Sequence, residues 1–210
     1  MRSADIATIV RTALIVLFAY LVLLKFNVIA IIALFAFILA LDGIDGFLAV
    51  REESNGKTSF AYYLRSALGN EEAHARVKEI KLSLSKRAPH GARIDVAGDR
   101  VVEYVPWLLF MFVHIVPMFV VIIIVIRHSF ADALMVSKGT SSKMKSGFVR
   151  AVYASNASRA GINIMKFITF SYLALVYVLA YPLWIGYVLI GILVAYVLVR
   201  GAAEIYESLK

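Results

Sequence analysis

The chain has 210 residues, of which 61% are hydrophobic, and it carries a formal net charge of +8. Its mean hydropathy of +0.82 excludes an ordinary soluble domain and predicts an all-α integral membrane protein with several spans. The basic residues lie between apolar segments and form no separate basic domain, so no nucleic-acid partner is expected. The chain has no cysteine, which excludes disulfides and thiolate metal sites.

Six apolar segments predict six transmembrane helices within a single domain over residues 1–210. Asn27, Pro117 and Pro182 mark short turns between successive members of three helix pairs. The predicted spans are approximately 6–24, 28–49, 93–115, 117–136, 162–181 and 183–201.

The distribution of basic residues predicts how these spans are oriented. Only Lys25 falls on the side of the short turns, whereas the termini and the two long loops carry the other basic residues or lie close to them. The positive-inside rule therefore places both termini and both long loops in the cytoplasm. We expect a multi-pass protein of a prokaryotic plasma membrane.

Two aspartates stand at the end of the second predicted span, in the stretch LDGIDGFLAV. Asp42 and Asp45 are about 60° apart on a helix, and both lie at its cytoplasmic end. An ionised carboxylate near a membrane is costly, so the pair requires a wet, protein-lined cavity. Gly46 and Ala49 leave room for a substrate to approach closely, although small residues also serve simple helix packing.

Residues 51–90 are predicted to form a helical cytoplasmic insertion between the second and third spans. The segment is interpreted as two short helices, and the second, at about 71–86, places Ala73, Val77 and Ile80 on one face. Such a basic amphipathic helix lies either at the membrane interface, partly covering the site, or in a soluble hairpin packed against the domain. The sequence favours neither alternative.

A second acidic cluster begins the third predicted span, in the stretch GARIDVAGDR. Gly91, Asp95 and Asp99 recur every four residues and therefore share one helix face. Both clusters lie at the same depth, so four carboxylates would converge if the two helices pack. Four ionised carboxylates need a cation, and oxygen-only ligation favours a pair of Mg²⁺ or Mn²⁺ ions. For either pair alone, helix capping or a contact with the helix dipole is the simpler interpretation.

The loop after the fourth predicted span is basic and is a candidate for binding a phosphorylated ligand. Its cationic groups, with serines and threonines between them, suit a phosphorylated ligand. The positive-inside bias alone would also produce an excess of Lys and Arg here. The candidate residues are Arg127, Lys138, Lys143 and Arg150.

The acidic clusters resemble the motif of the CDP-alcohol phosphotransferase family, D-x-x-D-G-x-x-A-R followed by G-x-x-x-D-x-x-x-D. The chain departs from it because Val50 separates the alanine from Arg51, and because the segment between the two motif halves is much longer. Seven of the eight fixed motif residues match in type and order: Asp42, Asp45, Gly46, Ala49, Gly91, Asp95 and Asp99.

The resemblance implies an enzyme of phospholipid synthesis, in which an acceptor alcohol attacks the phosphorus of a CDP-linked lipid and CMP leaves. It implies two Mg²⁺ or Mn²⁺ ions per site, a site that faces the cytoplasm, and a homodimer. The implied catalytic base is Asp99. The implied metal ligands are Asp42, Asp45, Asp95 and Asp99. The residues implied to bind the donor nucleotide are Gly46, Ala49, Arg51 and Gly91.

The acceptor alcohol and the donor lipid are not specified by the sequence. Glycerol phosphate, inositol phosphate, serine and other alcohols are all open, and the donor is a diacyl or a diether lipid. An ion-coupled transporter is an alternative, but it predicts acids near the midplane and often an internal repeat. An intramembrane prenyltransferase also pairs Asp-rich motifs with Mg²⁺, but its family typically has more spans and lacks the Asp–Gly step followed by Ala.

Overall fold

The computed structural model describes residues 3–67, 70–87, 89–138 and 156–209. Every regular element in these ranges is an α-helix, which confirms the all-helical prediction. The eight helices of the described residues are α1 (Ser3–Leu23), α2 (Val28–Glu53), α3 (Phe60–Ala67), α4 (Glu71–Arg87), α5 (Pro89–Phe112), α6 (Met118–Lys138), α7 (Asn156–Leu179) and α8 (Leu183–Leu209).

Four helices of the described part are long and apolar enough to cross a membrane. The predicted third and fourth spans are helical as α5 and α6, but these two helices are not among the four. Several charged residues in the first half of α5 lower its hydropathy. The four segments match the predicted first, second, fifth and sixth spans and comprise Ser3–Leu23, Val28–Glu53, Ala160–Leu179 and Leu183–Ala203.

The apolar helices expose large hydrophobic side chains along their length. On α1, Ile9, Val16 and Tyr20 are at least half exposed, and on α8 the same is true of Trp184 and Val199. Such surfaces are unfavourable in water but normal against lipid acyl chains. The exposed side chains therefore agree with a membrane protein.

The second helix continues past the predicted boundary at residue 49 and ends at Glu53. Asn55 then adopts a positive φ of 52°, and the Gly56 amide donates to the Arg51 carbonyl at 2.8 Å. The Asn55 amide donates to the Glu52 carbonyl at 3.2 Å, which completes a Schellman motif. This motif satisfies carbonyls at the end of α2, where the insertion begins.

The chain divides into two compact units. Unit 1 contains the residues up to Leu24 together with Ile29–Val105, and unit 2 contains Lys25–Val28 and the residues from Pro106 onward. The division falls inside α5 at Pro106, which has no amide N–H to donate to the preceding helical turn. Both acidic clusters of the sequence belong to unit 1.

In unit 1, α1 and α2 pair through residues spaced alternately three and four apart. The rings of Phe18 and Phe35 are in contact, with their centroids 4.9 Å apart. Two turns before Phe18, Arg11 forms an ion pair with Asp42, which lies two turns after Phe35. The two contacts define an antiparallel pairing that brings the acidic end of α2 beside Arg11. The buried residues of α1 are Thr8, Arg11, Ile15, Phe18 and Val22.

The insertion forms the helical pair α3 and α4, which pack against each other within unit 1. Asn70 caps α4, because its side-chain oxygen accepts a hydrogen bond from the Ala73 amide at 2.9 Å. Ala73 and Val77 are buried, and the Ser83 hydroxyl donates to the Glu53 carboxylate at 3.0 Å. Ala73 and Val77 on the apolar face of α4 are thus covered by protein.

Candidate functional site

A buried arginine lies at the centre of the acidic cluster in unit 1. The side chain of Arg11 on α1 is only 2% exposed, and its guanidinium pairs with Asp42 of α2 and Asp99 of α5. Asp45 Oδ2 lies 3.7 Å from Nη1 of the same guanidinium. Three carboxylates from α2 and α5 therefore converge on one cation supplied by α1.

The three carboxylates differ in their access to solvent. The Asp45 side chain is 8% exposed, whereas those of Asp42 and Asp99 are 39% and 46% exposed. A ligand can therefore approach Asp42 and Asp99 from outside the cluster, while Asp45 is reached only from within it. Asp99, the predicted catalytic base, is the most accessible of the three carboxylates.

Gly98, the residue before Asp99, allows α1 to approach α5 closely. A Cβ atom at this position would overlap Thr8 Cγ2 and would lie 3.7 Å from both Arg11 Nη2 and Thr12 Oγ1. Because Gly98 has no side chain, the polar face of α1 can contact α5 at this point. The ion pair between Arg11 and Asp99 depends on this close approach.

The insertion covers one residue of the predicted donor-binding set. A Cβ atom added to Gly46 would lie 2.6 Å from the hydroxyl oxygen of Tyr63 on α3. The Tyr63 ring also contacts Phe47, with centroids 5.8 Å apart. The glycine therefore makes room for a tyrosine of the insertion in this structure, while Ala49, one turn after Asp45, is partly exposed.

Arg51 does not occupy the position at which the family motif carries its arginine. That position is Val50, whose side chain is completely buried. Arg51 is exposed, and its guanidinium carbon lies 6.0 Å from the centroid of the Phe47 ring, which is a cation–π arrangement. The one-residue shift in the sequence thus places the two residues in different surroundings.

The predicted metal site is only partly visible. Gly91 and Asp95 lie on α5, but their surroundings fall outside the described side chains. Among the side chains that are described, no group of three His, Cys, Asp or Glu is arranged to hold a metal ion. The oxygens of Asp42, Asp45 and Asp99 have the chemistry that Mg²⁺ and Mn²⁺ prefer, but here they surround a guanidinium.

In unit 2, α8 has polar contacts with α7 and a close contact with Arg127 of α6. Arg127 of α6 packs against Gly201 of α8, where an added Cβ would lie 2.7 Å from Arg127 Cγ. The preceding residue, Arg200, donates a hydrogen bond to the hydroxyl of Ser158 on α7. The hydroxyls of Ser158 and Tyr196 are 3.0 Å apart. Arginine and hydroxyl donors together are the groups that bind phosphate oxygens.

The other predicted acceptor residues cannot be placed in a site. Lys138 is the last residue of α6, and its side chain lies outside the described part. Lys143 and Arg150 fall within 139–155, which also lies outside the described residues. Among the acceptor candidates, Arg127 is the one whose side chain the structure describes.

The sequence analysis missed the role of Arg11, which it counted only among the basic residues that set orientation. One signal in the sequence points to that role, because an arginine within an apolar helix needs a polar partner.

Comparison with protein-family models, with curated proteins and with solved structures finds no match to this chain. The resemblance to CDP-alcohol phosphotransferases therefore depends on the motif residues alone. Any functional conclusion has to be argued from those residues and their geometry.

Proposed function

We propose that the protein is an integral membrane enzyme that transfers a phosphatidyl-type group, diacyl or diether, from a CDP-linked lipid to a small alcohol and releases CMP. The observation that carries the proposal is the convergence of Asp42, Asp45 and Asp99 on one buried cation. These acids belong to the two halves of the sequence motif and are brought together by α2 and α5. Four helices able to cross a membrane agree with a lipid substrate.

The proposal includes a topology of six spans, with α5 and α6 as the third and fourth. Both termini and the acidic cluster then face the cytoplasm, because all the basic residues except Lys25 lie in the termini and the long loops or close to them. CDP-linked lipids and phosphorylated alcohols are charged at one end, so a site at the membrane surface suits both. A homodimer remains the expectation from the family resemblance.

In the proposed reaction the acceptor oxygen forms a new bond to the phosphorus of the donor while the bond to CMP breaks. The half-exposed Asp99 takes the proton of the acceptor hydroxyl. Two Mg²⁺ or Mn²⁺ ions, when bound, would neutralise charge on the donor diphosphate. Their proposed ligands are Asp42, Asp45, Asp95 and Asp99.

We assign the nucleotide end of the donor to the small residues beside the acids, Gly46, Ala49 and Gly91. Tyr63 fills the space beside Gly46 in this structure, so its side chain has to move when the donor binds. Arg51 is exposed at the end of α2 and is the candidate cation for the diphosphate. In unit 2, Arg127 is the candidate for an acceptor phosphate, together with the other basic residues of its loop. Glycerol phosphate and inositol phosphate are acceptors of this kind.

The test is a CMP-release assay with the purified full-length protein in detergent. CDP-diacylglycerol and a CDP-diether lipid are each offered with a panel of phosphorylated and unphosphorylated alcohols, in Mg²⁺ or Mn²⁺. We expect CMP only when donor, acceptor and divalent ion are all present, with loss in excess chelator and recovery on adding Mg²⁺. Release that persists in excess chelator would overturn the metal assignment, and no CMP from any donor would overturn the reaction.

An ion-coupled transporter is the second candidate, favoured by one observation. Arg11 and Asp45 are both buried within helices that could span a membrane, and buried charges of this kind also occur along ion pathways. Reconstitution in liposomes separates the two functions, because a transporter moves ions without CDP-lipid. An isoprenoid diphosphate in the same enzyme assay tests the prenyltransferase alternative through release of diphosphate.

A further inference from the structure

Arg11 occupies the space between the carboxylates of the acidic cluster. Its Nη1 pairs with Asp42 Oδ1, and its Nη2 pairs with Asp99 Oδ1. A Mg²⁺ ion bound by the same oxygens needs them at about 2.1 Å. A guanidinium and a divalent ion therefore cannot both lie between these oxygens.

The hydrogen bonding of Arg11 is incomplete. Its Nε is buried and has no hydrogen-bond partner among the described residues. A guanidinium presents five N–H donors, and a buried donor without an acceptor is unfavourable. The group is thus strongly attracted by the carboxylates but not fully satisfied in its position, which makes it easier to displace.

The charge of the cluster also favours a divalent ion over the guanidinium. Three carboxylates face one guanidinium. A divalent ion offers twice the charge of the guanidinium at a shorter distance. The half-exposed sides of Asp42 and Asp99 give such an ion a route into the cluster.

We infer that Arg11 is a resident cation that stabilises the metal-free acidic cluster and competes with divalent ions for it, so that metal binding displaces the guanidinium from Asp42 and Asp99. The inference rests on the proposed function because it assumes a divalent-metal site at these acids. It predicts that removing Arg11 weakens the metal-free protein and strengthens metal binding. A guanidinium that only positions the acids for the metal would have the opposite effect on affinity.

The test measures Mn²⁺ binding to the full-length protein in detergent by electron paramagnetic resonance, in which free Mn²⁺ gives the signal. We compare the wild type with Arg11→Met, which has similar length and no charge, and with Arg11→Lys, which keeps the charge but lacks the fork. Arg100→Met is the matched control, because Arg100 is next to Asp99 but pairs with Glu103 at 3.4 Å. This control measures the general effect of losing one nearby positive charge.

We expect the dissociation constant for Mn²⁺ to fall by about tenfold or more in Arg11→Met, by less in Arg11→Lys, and by about twofold at most in Arg100→Met. Thermal unfolding gives a second readout. Without metal, Arg11→Met should unfold at a lower temperature than the wild type, and Mn²⁺ should raise its unfolding temperature by a larger amount. If Arg11→Met folds only with Mn²⁺ present, that result supports the competition directly.

An unchanged or weaker Mn²⁺ affinity in both Arg11 variants, with CMP release still metal-dependent in the wild type, overturns this inference and leaves the proposed function intact. Equal gains in Arg11→Met and Arg100→Met also overturn it, since the effect is then general electrostatics. Absence of specific Mn²⁺ binding in every protein, including the wild type, overturns both the inference and the metal site of the proposed function.

Discussion

Arg11 in unit 1 and Arg127 in unit 2 are both arginines within long helices, but their neighbours differ in kind. Arg11 is held by carboxylates of two other helices. Arg127 packs against the backbone of α8 at Gly201. The residue before Gly201, Arg200, donates a hydrogen bond to the Ser158 hydroxyl. The two arginines therefore differ in what the adjacent helices bring against them. In unit 1 these are acids that pair with Arg11, and in unit 2 it is the glycine backbone at Gly201.

The largest effects on CMP release are expected from substituting the aspartates of the acidic cluster. Asp42→Asn, Asp45→Asn and Asp95→Asn should each lower CMP release by at least about a hundredfold, because each removes a charged metal ligand. Each variant should remain folded by size-exclusion chromatography and circular dichroism. Asp5→Asn, a matched change in the first turn of α1, should leave CMP release near the wild-type rate. Near-normal activity in any of the three variants would remove that residue from the site.

The substitution Arg127→Ala tests the role of the arginine in unit 2. If this arginine binds an acceptor phosphate, its loss removes a charge-assisted hydrogen bond of about 1.5–3 kcal/mol. The KM for a phosphorylated acceptor should then rise roughly ten- to a hundredfold, while the KM for the CDP-lipid changes little. Arg127→Lys should restore only part of the affinity, because lysine lacks the bidentate fork. Arg76→Ala, at an exposed site on α4, is the matched control.

Two outcomes would contradict the assignment of Arg127. One is a defect in Arg127→Ala that lies wholly in the KM for the donor. The other is a clear preference of the wild type for serine or another unphosphorylated alcohol. Either result would attribute the basic residues after α6 to membrane orientation alone.

Smaller effects are expected from substituting the two glycines that lie close to these arginines, Gly98 near Arg11 and Gly201 beside Arg127. Gly98→Ala should cost about 1–3 kcal/mol of unfolding free energy, because its Cβ meets the short, buried side chain of Thr8. Gly201→Ala should cost less, because its Cβ meets the long side chain of Arg127, which can move. Gly201→Ala should instead raise the KM for a phosphorylated acceptor by displacing Arg127.

The chain supplies matched controls for these two substitutions. Gly43 in α2 and Gly191 in α8 have no atom within 4 Å of an added Cβ. Alanine at either position should be neutral or stabilising by up to about 1 kcal/mol, as expected for glycine inside a helix. Thermal unfolding of the four variants measures the difference, and equal costs at Gly98 and Gly43 would refute the close approach of α1 and α5.

The helices of the apolar runs could be predicted from the sequence because their composition and turn residues act locally. The turns near Asn27, Pro117 and Pro182 separate helices as expected. Composition alone does not identify α5 as a span, since α5 combines an apolar second half with a charged first half. A mean hydropathy combines the two halves of α5 into one value and gives no information about which of its charged residues form ion pairs.

The candidate site was only partly predictable for a related reason. The spacing of the aspartates shows which of them share a helix face, but not which residue of a distant helix lies opposite. Arg11 reaches Asp99 because Gly98 has no side chain, and that relation joins residues 88 positions apart in the sequence. The burial of Val50 in place of the family arginine likewise requires the packed structure.

The pairing of Arg11 with Asp42 has a consequence for how the chain enters a membrane. An arginine in a single apolar helix is costly during insertion by the translocon, by up to about 2.5–3.5 kcal/mol at the helix centre. Asp42 lies on the next helix, so α1 gains its counter-charge as soon as α2 has been synthesised, well before Asp99 emerges. During biosynthesis α1 is therefore expected to stay at the translocon until α2 has been synthesised. The two helices then enter the bilayer together as a hairpin in which Asp42 neutralises the charge of Arg11.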